Sequence, residues 1–370
     1  MTGHEFPLGL RRPAATLPGM AENSQAYACI MAGGSGERFW PLSRRSTPKH
    51  LLKLFSERTL VEEAVRRLEG VVPLKNVFVL TNELQLAGTR AALPFLPAAQ
   101  IIAEPAKRDT AAAAALATAW VRARDPEGVL ALLPADALIK DAATYRRQLA
   151  AALSRAAGTP ALLTFAIKPA HPATGFGYLE LGEAGDGGFR RVVRFVEKPD
   201  RATAERYVAG GHHAWNAGMF VWRADAFLAE AERQTPMLAR FIREFPAGDA
   251  AAFLAARFPT LEPKVSVDYA IMEKAATVET LVAEFDWDDV GAWTALPAHL
   301  PADAAGNTLR GPVVVHGSAN NIVLSSGRTI ALCGVKDLVV VETADGILVC
   351  HRDAVQDIKK LLPGLPPELL

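Results

Sequence analysis

At 370 residues, half of them apolar, the chain is long enough for two globular domains with a sizeable core and too apolar to be disordered. Lys and Arg number 40, as do Asp and Glu, so no net field gathers nucleic acid or an anionic membrane, and basic clusters are local sites. No run reaches the roughly 18 apolar residues of a membrane span.

Cys29, Cys333 and Cys350 lack metal-ligand spacing and are odd in number, which favours reduced thiols in the cytoplasm over a disulfide framework. Residues 1–26 carry an Arg pair with no apolar stretch behind it. They are therefore no secretory signal and are expected to form a disordered extension, with Met20 as an alternative start.

"AYACIMAGG" is a buried first strand that opens onto glycines. "TLVEEAVRRLEG" is a helix with a Thr59/Glu62 capping box, closed by Gly70. "NVFVLT" is a strand, "DTAAAAALATAWVRARD" a helix and "GVLALLPAD" a strand ending on Asp136. "YRRQLAAALSRAAG" is helical and "ALLTFAI" a strand again. This alternation implies βαβ units, a mixed, mostly parallel sheet and a Rossmann-like α/β domain, with ligands beyond the carboxyl ends of the strands.

"FGYLELG" and "FRRVVRFVEKP" form a β ribbon around the turn "EAGDGG". "WNAGMFVW" is a strand, and helices follow to about Lys274. After "WDDVGAWTAL" come short apolar runs separated by Gly, Asn and Asp turns, the pattern of a small all-β module, a short β-helix or roll, with a final helix. The expected division is therefore 27–300 for the α/β domain and 301–370 for the β domain.

The glycine-rich stretch "MAGGSGERFWPLSRRSTPKHLLKLF" fits neither common phosphate loop. From Gly34 a dinucleotide fingerprint would need a small residue where Phe39 stands, and no Lys-Ser/Thr follows Gly36 as in a Walker A loop. What remains is a turn of Gly33, Gly34, Ser35 and Gly36 whose N–H groups can approach a nucleotide. Arg38 and Lys49 follow on a segment stiffened by Pro41 and Pro48. Two cations facing one turn suit a polyphosphate.

This segment resembles the signature G-G-x-G-x-R-(L/F)-x-P-L-(S/T)-x-x-x-P-K of sugar-nucleotide pyrophosphorylases, and its "FWPLSR" version is most similar to that of the mannose-1-phosphate guanylyltransferases. The resemblance continues from about Ala28 to the C-terminus through "EPAKRDTAAA", "LLPAD", "GFGYLE", "FVEKP", "WNAGMF", "SVDYAIMEKA" and "WDDVGAW". It implies condensation of GTP with mannose 1-phosphate to GDP-mannose and pyrophosphate. Such a reaction needs no general base, because a sugar phosphate, with a second pKa near 6, is mostly a dianion at neutral pH.

The resemblance also implies roles. Arg38, Lys49 and Lys198 would be the catalytic cations, and Asp136 and Asp289 would hold Mg²⁺, with Mn²⁺ as the alternative. Asp286 and Asp288 are close enough in sequence to be confused with Asp289. Gly33, Gly34, Ser35, Gly36, Glu104, Arg108 and Thr110 would bind the nucleotide, and Gly175, Gly177, Glu197, Asn216 and Asp268 the sugar. Glu197 and Lys198 can face one site only if the strand breaks there. Asp268, after Ser266, is read either as a sugar contact or as a helix-dipole partner.

Four positions depart from the family pattern: His50 for Gln, Asp109 for Asn, Ala112 for Pro and Ala217 for Ser. They bear on base and sugar selectivity. His212/His213 is read as surface loop rather than metal site, and Trp40 and Trp215 as core or as stacking platforms. The family implies a homodimer. The chain ends at Leu370 before any phosphomannose isomerase domain, so one activity is expected. The rivals are a pyrophosphorylase for another nucleotide and hexose, and a silent GDP-mannose-binding regulator.

Overall fold

The structure, a computed structural model, describes residues 25–370. The expected disordered extension and the alternative start at Met20 lie outside the described residues, apart from Gln25 and Ala26, and Ala26 already belongs to the first strand.

The first half builds strands and helices in turn: β1 (Ala26–Met31), α1 (Leu60–Arg66), β2 (Val77–Asn82), α2 (Glu83–Ala92), β3 (Ile101–Glu104), α3 (Asp109–Arg122), β4 (Val129–Pro134), α4 (Ala142–Ala157) and β5 (Leu162–Ile167). Then come β6 (Tyr178–Ala184), β7 (Arg190–Val196), α5 (Arg201–Gly210) and β8 (His213–Arg223). Next are α6 (Ala224–Gln234), α7 (Pro236–Glu244), α8 (Ala251–Arg257), α9 (Val267–Ala270) and β9 (Val278–Val282). Together they form a nine-stranded sheet in the order β3-β2-β1-β4-β8-β5-β9-β7-β6. β3, β2, β1 and β4 run parallel, and β8 lies antiparallel to both β4 and β5. The sheet is thus mixed: β9 also runs parallel to β5, and the parallel set of β3, β2, β1 and β4 leads into the glycine loop that follows β1.

Side-chain alternation explains why both faces are covered. In β1, Tyr27 and Cys29 enter one core with the Ala-rich α3, while Ala26, Ala28 and Ile30 enter the other with α1 and α4. Every residue from Ala111 to Val121 is buried, and the one polar residue among them, Thr118, accepts from Trp222 Nε1 at 3.1 Å. In α1, Thr59 accepts from the Glu62 N–H, but Glu62 pairs with Arg66 at 2.8 Å, so only one arm of the expected capping box forms.

The last segment is a parallel β-helix. β10 (Thr308–Arg310), β11 (Val313–His316), β12 (Ile322–Ser325), β13 (Ile330–Cys333) and β14 (Leu338–Glu342) coil so that β10-β12-β14 stack on one side and β11-β13 on another. β15 (Ile347–His351) closes antiparallel on β14, and the short α10 (Ile358–Leu361) follows. Buried Asn307 and Asn321 ladder between coils: Asn321 Nδ2 donates to Asn307 Oδ1 at 2.9 Å and its Oδ1 accepts from Leu338 N at 2.9 Å. Asn320 and Asp337, both at φ 57°, turn consecutive coils in the left-handed region that such short polar residues tolerate.

One apolar core joins this module to the signature segment. Phe39, Trp40, Leu52 and Trp293 pack with Ile322, Val339 and Val341. Trp40 donates to Leu369 O at 2.9 Å, and Trp293 donates to Trp40 O at 3.2 Å. Trp40 is therefore a core residue. So is Trp215, packed against Phe176 at 5.1 Å. His213 is the first residue of β8 and stacks on Tyr207 at 3.8 Å, so only His212 lies in the loop expected for the pair.

Candidate active site

Two glycines of the signature turn leave room and one is sterically required. A Cβ at Gly34 would meet nothing within 4 Å, and at Gly33 only Glu104 Oε2 at 3.7 Å. Gly36, at φ 62°, lies against Lys49, where any side chain would collide. This close approach sets Lys49 beneath the turn. Ser35 donates to Glu37 at 3.3 Å.

Lys49 is 6% exposed, and its ammonium lies 2.9 Å from Asp136 Oδ2 while also donating to Asp289 O at 2.5 Å. Gly36, Arg38, Lys49, Asp136, Asp289 and Gly291 line one cavity of about 340 Å³. The Arg38 Nε is out of solvent and without a partner there. Two of the three candidate cations, Arg38 and Lys49, thus share one pocket with both candidate carboxylates, while Lys198 lies outside it. One expectation needs correction: Asp136 is not an end-of-strand buried charge. β4 stops at Pro134, the Asp136 side chain is 44% exposed, and its counter-ion is Lys49.

The geometry also separates the three neighbouring aspartates. Asp286 accepts from the N–H groups of Lys140 and Asp141 at 3.0 and 2.7 Å. Asp288 accepts from Val290 N at 2.6 Å and pairs with His299 at 2.7 Å. Asp289 alone turns to the pocket. Val290 follows at φ 47°, a strained conformation for a β-branched residue, held by complete burial. Burial raises the Asp289 carboxyl pKa, Lys49 opposes this, and Asp288 and Asp136 add to it. A cation would favour the ionised form of this buried carboxyl. Two carboxylates without further protein ligands match a Mg²⁺-type ion that completes its shell with phosphate oxygens and water. Among the described residues no cluster of three or more His, Cys, Asp or Glu forms a closed metal cage.

A second cluster is knit by hydrogen bonds. Asn216, 8% exposed on β8, accepts from Thr164 Oγ1 at 2.7 Å and donates to Asp268 Oδ1 at 2.9 Å. Burial, then the charge of Glu197, lifts Asp268 to about 6. The helix-dipole reading of Asp268 is thus not its whole role, and Ser266 makes no side-chain cap to α9. β7 ends at Val196, and Lys198 takes φ 47°, which supplies the required break. Lys198 Nζ then reaches Glu197 Oε1 at 2.7 Å. Burial works against its ammonium, but the hydrogen bond and charge of Glu197 raise its pKa overall. A Cβ at Gly177 would lie 2.5 Å from Glu197 Oε2 and 3.2 Å from the Phe195 ring, so a side chain there would displace Glu197. Gly175 faces open space, so packing does not account for it. The last β4–β8 pair, Leu132↔Phe220, continues so as to bring Asn216 to the sheet end where Asp136 lies.

A third group lies at the end of β3 and the start of α3. Glu104 has an enclosed, unpartnered Oε1, and burial pushes its carboxyl up to about 8. Arg108 reaches Glu262 at 3.4 Å while its Nε lacks a partner. Thr110 Oγ1 accepts from Val267 N at 2.9 Å, tying this segment to the helix of Asp268. Asp109 sits at φ 61°, a conformation both Asn and Asp adopt, so the backbone accepts this departure from the pattern. His50 is 2% exposed behind Lys49 and Asp136, its Nε2 unpartnered, and burial lowers its pKa to about 4.

Sequence reasoning missed Thr164, Glu273 and Tyr269. Glu273 accepts from Glu197 N at 3.1 Å, and Tyr269 donates to Glu197 O at 3.4 Å. Thr164 had a signal, as the one polar residue in the apolar run "ALLTFAI".

A nucleotidyl transferase family profile matches residues 27–305, and a profile for the mannose-phosphate isomerase/GMP-like β-helix domain matches 311–365. The chain is 37% identical to a mannose-1-phosphate guanylyltransferase of Escherichia coli K12, with 92% of this chain and 73% of that protein covered. It is 36% identical to the alginate biosynthesis protein AlgA of Pseudomonas aeruginosa, over 91% and 71%. A crystal structure described as mannose-1-phosphate geranyltransferase from Thermus thermophilus superimposes with a TM-score of 0.83 at 33% identity, over 92% of this chain and 99% of that one. The chain thus belongs to the nucleotidyl transferase family, alongside the mannose-1-phosphate guanylyltransferases that share its β-helix domain.

Proposed function

We propose that this protein transfers the guanylyl group of GTP to mannose 1-phosphate. A phosphate oxygen of the sugar phosphate attacks the α-phosphorus in line. The new O–P bond forms as the bond from the α-phosphorus to the bridging oxygen breaks, and pyrophosphate departs with that electron pair. No proton has to be removed from the dianionic nucleophile. Arg38 and Lys49 offset the charge that gathers on the departing pyrophosphate, and Lys198 receives the sugar phosphate. Gly33, Gly34, Ser35 and Gly36 admit the nucleotide, and Glu104, Arg108 and Thr110 bound the base. Glu197, Asn216 and Asp268 meet the hydroxyls, and Gly175 and Gly177 allow the sugar to come close. Mg²⁺, or Mn²⁺, held by Asp136 and Asp289, would supply further charge neutralisation at the phosphates.

The observation that supports this most is the meeting of Arg38, Lys49, Asp136 and Asp289 in one pocket under Gly36. A cytoplasmic homodimer divided at 300/301 belongs to the same reading, and sedimentation velocity tests the dimer.

A second reading keeps the chemistry and changes the substrates. It rests on Asp109, Ala112, His50 and Ala217, none of which is among the candidate cations or carboxylates. Pyrophosphate release is measured with each NTP and several hexose 1-phosphates, with and without Mg²⁺. GTP with mannose 1-phosphate is expected to have the highest kcat/KM, and a clear preference for UTP or dTTP would replace the guanylyl assignment.

A further inference from the structure

Behind the loop that carries Asp136, a cavity of about 490 Å³ opens between α1, the 138–142 segment and His299. Five basic side chains line it against two acidic ones. At its inner wall Arg67 is only 7% exposed, and its guanidinium donates to Ala137 O at 3.3 Å and lies over the Tyr145 ring at 5.5 Å. No carboxylate among the described residues lies within ion-pair distance of it. Those nearby are bonded elsewhere: Glu62 holds Arg66 at 2.8 Å, Glu63 faces Arg58 at 3.6 Å, Glu69 faces Arg146 at 3.8 Å and Asp286 accepts from the Lys140 and Asp141 N–H groups, so Glu63 and Asp286 act on Arg67 only as charges at longer range. A buried guanidinium without a counter-ion is costly unless an anion completes it.

We propose that this cavity is a second anion site, for a phosphate group, distinct from the pocket of Arg38 and Lys49. Arg67 would give the two-pronged contact that guanidinium makes with phosphate oxygens, and the volume leaves room for a small organic moiety. The site adjoins both candidate carboxylate loops. Arg67 holds Ala137 O next to Asp136, Leu138 pairs with Asp288 through bonds of 2.8 and 3.1 Å, and His299, which lines the cavity, holds the Asp288 carboxylate. Ligand binding there therefore bears on the backbone that positions Asp136 and Asp289.

The full chain is titrated by calorimetry with inorganic phosphate and with glycerol 3-phosphate. The proteins are wild type, Arg67→Met, the exposed-rim double variant Arg58→Gln/Arg66→Gln, and Arg38→Ala. The expected result is a phosphate site weakened about tenfold or more in Arg67→Met, by about threefold in the rim variant, and by less than about twofold in Arg38→Ala. Tighter binding of glycerol 3-phosphate assigns the site to a phosphorylated metabolite, and equal or weaker binding to free phosphate. If circular dichroism shows Arg67→Met unfolded, the rim variant decides alone. The proposal is overturned by no binding, by binding equal in all four proteins, or by binding lost in Arg38→Ala. The titration needs no turnover, so its failure leaves guanylyl transfer standing, and failure of guanylyl transfer leaves this result intact.

Discussion

On the phosphate side of the site, Lys49 reaches across 240 residues to Asp289 and meets Asp136 through a single ammonium. On the sugar side, Asn216 joins Thr164 and Asp268, each 52 residues away, through hydrogen bonds among side chains held by neighbouring strands and a short helix. The first half is charge concentrated in loops, and the second a network hung on sheet register. Charge near the α-phosphorus matters most when charge develops in the reaction, whereas a network around hydroxyls acts on ground state and transition state alike. The two halves should therefore fail differently when cut.

The largest effect falls on Lys49→Met. It removes the cation between Asp136 and Asp289, and kcat for pyrophosphate release should fall by about 10²–10³-fold with the KM for the sugar phosphate little changed. A fall confined to that KM would erase the distinction between the halves.

Asn216→Ala leaves Asp268 and Thr164 without their shared partner. It should raise the KM for mannose 1-phosphate by about tenfold, roughly 1.4 kcal/mol, while kcat stays within about threefold. Gly177→Ala would press on Glu197 and should move the same constant in the same direction. A dominant kcat effect in either variant would mean that the sugar side also works on the chemical step.

Smaller effects concern stability. Folded Glu104 keeps its proton to about pH 8 against an ordinary 4.5, so folding favours the protonated form. Its unstrained burial is retained at low pH, and stability is lost as pH rises from 4.5 towards 8. In Glu104→Gln the pH dependence of Tm over that window should flatten, and an unchanged slope would show that Glu104 ionises normally. Asn321→Ala, far along the β-helix ladder, should cost about 1–3 kcal/mol in urea unfolding while leaving kcat intact.

Much of this arrangement was legible in the sequence because local rules governed it. The unbroken apolar run of "AYACIM" and the Ala run of α3 marked a sheet covered on both faces, and turn residues every few positions after Asn307 marked the coils of the β-helix. Glycines and cations in one short segment marked the phosphate side. The break at Lys198 was readable as a requirement, since adjacent side chains cannot otherwise share a face. What escaped depends on distant pairing. α2, α5 and β9 carry weak patterns, and β9 owes its place to β5 and β7. The exposure of Asp136, the roles of Asp286 and Asp288 as backbone acceptors and the cavity around Arg67 all arise where the 137–141 segment meets 286–290. No local pattern announces that meeting.

The most direct test of the central claim, that this pocket catalyses by placing and neutralising charge, is Asp136→Asn assayed for turnover of GTP with mannose 1-phosphate and for GDP-mannose affinity. The expected result is a kcat lower by about 100-fold or more with a GDP-mannose Kd within about tenfold of wild type and an unchanged circular dichroism spectrum. Turnover within about tenfold of wild type, or a wild-type protein that binds GDP-mannose and turns over nothing, would contradict it.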